Sequence, residues 1–121
     1  MHAHLVFITK YRYRVLDGDA VNRLRAIFTR VCTDFHAELV QMDGENNHVH
    51  LLVRYPPKVA LSHLVNSLKG VSSRMLRREQ PDLAARYWKG VLWSPSYFAA
   101  SCGGAPINIL KEYIQQQNTP L

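Results

Sequence analysis

A chain of 121 residues, 47% of them hydrophobic, suffices for one domain with a buried core and is too short for two independent ones. No apolar run reaches the roughly eighteen residues of a membrane span, and the amino terminus lacks a secretory leader's hydrophobic block, so a cytoplasmic protein with no membrane contact is expected. Fifteen Lys and Arg against nine Asp and Glu, net +6, favour a polyanionic partner, nucleic acid foremost, while Cys32 and Cys102 lack metal-ligand spacing.

In chain order, residues 4–9 (HLVFIT) are β-branched and aromatic and predict a buried strand, followed by the basic segment KYRYR, residues 10–14. From Asp19 on, Val21, Leu24, Phe28, Val31 and Phe35 recur every three or four residues, a helix that Asp17 or Asp19 is placed to cap. Residues 37–42 read as a second strand, 43–46 (DGEN) as a tight turn and 47–55 as a third strand that Pro56-Pro57 ends. Leu61, Leu64, Leu68, Val71 and Met75 mark a second amphipathic helix, its other side carrying Asn66, Lys69, Ser73 and Arg77 as an exposed, basic and hydroxylated ridge.

After a polar connector around Pro81, residues 92–101 (LWSPSYFAAS) are strand-like, with Pro95 implying an edge or a bulge. Gly103-Gly104 interrupts the chain, and Pro106 suits the first position of a last helix over 106–118. The order β-α-β-β-α-β-α gives an α+β fold of ferredoxin-like (RRM-like) plan: an antiparallel sheet with helices on one face and a C-terminal helix, all in one domain over 1–121.

The chemistry concentrates in NNHVHLLVRY, residues 46–55. Side chains two apart on a strand leave the same face, so His48 and His50 project together while Val49 points to the core, and two neighbouring imidazoles can bind one metal. In the last helix Tyr113 and Gln117 are four apart and share a face. Glu45 and Asn47 fit turn formation better than orientation of an imidazole. His63, Trp93 and Tyr97 read as structural, the aromatics as sheet core, and His2, His4 and His36 have no evident partner.

HVH on a strand, a late Tyr followed four residues on by Gln, and the blocks HLVFITKYRYRVL, NNHVHLLV, SLKGVSSRML and LWSPSYF together resemble the TnpA-type, single-tyrosine HUH transposases of small bacterial and archaeal insertion sequences. The resemblance implies cleavage and rejoining of single-stranded DNA at insertion-sequence ends through a 5′-phosphotyrosine link, with a free 3′-hydroxyl and no external energy source. By position it makes His48, His50 and Gln117 the ligands of a divalent metal, Mg²⁺ or Mn²⁺, and Tyr113 the nucleophile. It also implies a homodimer and hairpin-containing element ends.

For DNA contact the residues themselves point to Lys10, Arg12 and Arg14, interleaved with Tyr11 and Tyr13, since this mixture offers phosphate charge and stacking surfaces; Lys69, Arg74 and Arg77 follow. The competing reading is a non-catalytic single-stranded nucleic-acid-binding domain of the same fold. A two-histidine phosphoesterase would need two His-x-Thr/Ser repeats, which the chain lacks.

Overall fold

The computed structural model describes residues 1–87 and 89–101; the expected Gly103-Gly104 joint and the expected helix with Tyr113 and Gln117 lie outside them. The described elements run β1 (His2–Ile8), a 3-10 turn (Lys10–Arg12), α1 (Gly18–Asp34), β2 (Glu38–Gly44), β3 (His48–Arg54), α2 (Leu61–Glu79), α3 (Pro81–Arg86) and β4 (Phe98–Ser101). The strands form one antiparallel sheet in the order β2-β3-β1-β4.

Strand alternation decides which residues meet the helices. Ala3, Leu5 and Phe7 of β1 and Val49, Leu51 and Val53 of β3 are fully buried in one core with Leu24, Ile27 and Phe28 of α1 and Leu64 and Leu68 of α2. Burying each of the larger side chains contributes roughly 1.5–3 kcal/mol. Asp17 caps α1, its carboxylate accepting from the Ala20 N–H at 2.7 Å.

Several expectations are corrected. The hairpin turn starts two residues later than DGEN: Asp43 and Gly44 belong to β2, facing His50 and Val49, and the Glu45 N–H donates to the His48 carbonyl at 2.9 Å. The expected strand over 92–101 is split. Trp93 bridges to Thr9, Ser94 donates its N–H to the Ile8 carbonyl, and regular pairing resumes only at Phe98, because Pro95 has no N–H to give. The connector around Pro81 contains α3, with Pro81 in its first turn.

The expected exposed ridge of α2 is largely covered: Ser73 is buried, and Lys69 and Arg77 are half-buried. Trp93 is core, but Tyr97 is 39% exposed. His63 is exposed on α2.

Beyond β1 the backbone turns sharply, with Tyr11 at φ 64° and Arg12 at φ 54°. Left-handed conformations cost a non-glycine residue roughly 1–2 kcal/mol each, so surrounding contacts must hold them. The Lys10 N–H donates to the Leu92 carbonyl, the Lys10 carbonyl accepts from the Tyr87 hydroxyl at 2.9 Å, and the Thr9 hydroxyl donates to the Tyr13 carbonyl at 2.8 Å.

Candidate metal and nucleic-acid site

The face of the sheet opposite the helices carries His4 and Val6 of β1, His48 and His50 of β3 and Phe98 of β4. Val6 stands directly opposite His50, and Ile8 opposite His48. His48 and His50 therefore share a face, as their spacing predicts, while Val49 between them is fully buried in the core.

The two rings have different surroundings. His48 is buried, and its Nδ1 lies 3.1 Å from Asn47 Oδ1, which favours a proton on Nδ1 and leaves Nε2 as the free basic nitrogen. Burial lowers its pKa, partly offset by the charge of Glu45. Asn47 thus orients an imidazole, the role the sequence ranked below turn formation. His50 Nε2 stands 3.5 Å from Asp43 Oδ2, a neighbour that only the shifted hairpin turn brings opposite it.

His4 completes the row. It is 1% exposed, neither ring nitrogen has a hydrogen-bond partner among the described residues, and its ring meets His50 edge-on at 5.8 Å and Phe98 at 6.2 Å. Burial lowers its pKa. Nothing in the sequence around His4 announced this neighbour, because it comes from the placement of β1 beside β3.

Two imidazoles on one sheet face, with one basic nitrogen presented at His48, fit the histidine part of a divalent-metal site. Among the described residues no group of three His, Cys, Asp or Glu is placed to hold a metal ion, so the pair needs a ligand from elsewhere in the chain or from a substrate.

The basic residues singled out in the sequence fall into two groups. Lys10, Arg12 and Arg14 lie just past β1, with Arg12 and Arg14 exposed. Lys69, Arg74 and Arg77 line a cavity of about 380 Å³ on α2, floored by Trp93 and Pro95. Lys69 donates to the Ser94 and Pro95 carbonyls at 2.7 and 3.3 Å and lies over the Tyr97 ring, and burial lowers its pKa. Arg77 donates to the Ser73 hydroxyl at 3.2 Å, and Arg74 is exposed. Tyr113 and Gln117 lie outside the described residues.

A family model described as "Transposase IS200 like" matches residues 1–117. The chain belongs to the IS200-like transposase family. This IS200-like chain is 32% identical over 115 residues to the ISDra2 transposase TnpA of Deinococcus radiodurans, covering 95% of itself and 82% of that protein. It is 29% identical over 114 residues to the transposase of insertion sequence element IS200 from Salmonella typhimurium, covering 94% and 74%.

Among solved structures, a Deinococcus radiodurans protein described as a transposase superposes with a TM-score of 0.81 at 31% identity, covering 99% of this chain and 92% of that one. The REP-associated tyrosine transposase bound to a REP hairpin superposes with a TM-score of 0.60 at 14% identity, over 95% and 61%, a likeness of fold. The chain is a transposase of DNA transposition with a four-stranded antiparallel α+β fold, and no described helix is long and apolar enough to cross a membrane.

Proposed function

We propose that this transposase cleaves and rejoins single-stranded DNA at the ends of its insertion sequence, with Tyr113 as nucleophile and His48, His50 and Gln117 as the holders of a divalent cation, Mg²⁺ or Mn²⁺. The observation that carries this reading is the histidine pair: two imidazoles on one sheet face, in a chain whose family match runs through residue 117 and so includes Tyr113 and Gln117. When bound, the cation supplies positive charge that polarises the scissile phosphate.

The chain's own residues do the rest. The Tyr113 oxygen attacks phosphorus, the bond to the 3′-oxygen breaks, that oxygen takes a proton, and the 5′-phosphate stays on the tyrosine. A phenol with a pKa of about 10 is mostly protonated at neutral pH, so it must lose its proton on attack. The phosphotyrosine keeps the energy of the broken phosphodiester, and a 3′-hydroxyl can later reverse the attack without ATP. Asn47 holds the His48 tautomer.

Lys10, Arg12, Arg14, Lys69, Arg74 and Arg77 supply DNA contact. The strand order β2-β3-β1-β4 supports a ferredoxin-like plan with the catalytic helix following β4. The fold shared with a transposase bound to a REP hairpin supports hairpin-containing ends as the substrate. A homodimer is the assembly in which one copy's Tyr113 helix could serve its own site or its partner's.

The test is titration of Mn²⁺ into the full chain, with cleavage of a labelled single strand from the element's ends in parallel. His48→Ala and His50→Ala should each weaken Mn²⁺ binding by about tenfold or more, with little change in unfolding temperature, and should suppress cleavage. Unaltered Mn²⁺ affinity and wild-type cleavage in both variants would overturn the assignment.

A further inference from the structure

The 3-10 turn after β1 builds a second feature that the histidine site does not use. The Tyr11 and Tyr13 rings lie 5.5 Å apart, and Tyr13 meets Tyr87 at 5.7 Å, so three rings form a continuous row. Cations flank it: Lys10 lies 5.4 Å over Tyr11 and the Arg86 guanidinium 4.9 Å over Tyr13. A cavity of about 290 Å³ opens there between Lys10, Tyr11, Tyr13, Arg86, Tyr87 and Lys89.

Tyr87 is buried and its hydroxyl holds the Lys10 carbonyl, whereas Tyr11 is 64% and Tyr13 36% exposed. Backbone held in the left-handed region at Tyr11 and Arg12 keeps large aromatic faces in solvent. Flat apolar faces bounded by cations suit a ligand that is itself a flat ring carrying negative charge.

We propose that this pocket is a stacking site for one unpaired nucleotide of single-stranded DNA, its base on Tyr11 and Tyr13 and its phosphate against Lys10 and Arg86. Placement supports a nucleotide close to the scissile bond. Ile8 pairs with His48, and the Thr9 N–H donates to the Asn47 carbonyl at 2.9 Å, so the pocket begins where the strand beside the histidines ends. Val91 walls both this cavity and the one holding Arg74 and Arg77, which gives the backbone a cationic route onward. The proposal rests on the single-strand reading above and adds Arg86 and Tyr87 to the residues that serve it.

The test is fluorescence anisotropy of a fluorescein-labelled twenty-nucleotide oligothymidylate with the full chain at several salt concentrations. Tyr11→Ala should weaken binding by about tenfold with the salt slope unchanged, since stacking carries no counterions, and Tyr11→Phe should bind as wild type. Arg86→Ala should weaken binding by about threefold and reduce the salt slope by about one. Arg30→Ala, exposed on α1, serves as control for general charge loss.

Wild-type affinity in both Tyr11→Ala and Tyr13→Ala, with the wild-type chain still forming a covalent adduct with element-end DNA, would overturn the pocket and leave the cleavage reading standing. No binding of the single strand by wild type would overturn both.

Discussion

His4 shows what a single buried imidazole does to stability. Its pKa and that of His48 are lowered from 6.5 by burial, so the unfolded chain binds more protons than the folded one once pH falls below about 6.5. A depressed folded pKa means stability is complete above the unfolded value and declines as pH drops through the interval beneath it. In chelator-containing buffer the urea midpoint should therefore fall between pH 7.5 and pH 5. Replacing His4 by Leu, of similar volume and without titratable nitrogens, should flatten that fall; an unchanged pH profile would remove His4 from the account.

At this scale the sequence was legible wherever periodicity alone fixes direction. His48 and His50 two apart on a strand had to share a face, and Val49 had to face the core. His4 and Asp43 were not legible, because their neighbour His50 is set by strand order and by the exact position of a turn. Tyr97 was misread for a related reason: its aromatic run is broken at Pro95, and the ring ends beside Lys69 with 39% exposure.

Between elements, two serines of α2 hold the segment that replaces the expected long strand. Ser72 Oγ accepts from the Trp93 indole N–H at 2.9 Å, and Ser73 Oγ accepts from the Leu92 N–H at 3.0 Å, both buried. Removing either hydroxyl leaves a buried donor without a partner, a loss of about 1–3 kcal/mol. Ser72→Ala and Ser73→Ala should each lower stability by that amount in urea unfolding, with Ser72→Ala also shifting the Trp93 fluorescence. Losses within 0.5 kcal/mol of zero, the usual range for surface substitutions, would show that the segment is held by other contacts. The helical stripe of α2 was readable from Leu61, Leu64 and Leu68; the inward turn of Ser73 was not, since a hydroxyl at that spacing serves solvent or a buried amide equally well.

Across the whole molecule, the sheet order brings the start of β3, the end of β1 and the strained turn to one region, so the proposed metal site and the proposed stacking pocket adjoin each other. The first three strands were read from β-branched and aromatic runs and the first two helices from three-to-four spacing, and the resemblance to HUH transposases, carried by HVH and the late Tyr and Gln, is matched by the IS200-like family assignment. Glycine at 103 and 104 and the helix expected over 106–118 lie outside the described residues, so the role of Tyr113 rests on chemistry and family.

That role is the central claim, and one experiment reaches it: wild type and Tyr113→Phe incubated with 5′- and 3′-labelled element-end DNA, single-stranded and annealed, in Mg²⁺, then run on a denaturing gel. The account predicts a protein-linked band for wild type with the single strand only, carrying the label on the 3′ side of the cut, and no such band for Tyr113→Phe although that variant still binds the strand. An adduct that persists in Tyr113→Phe, or equal cleavage of duplex and single strand, would contradict it.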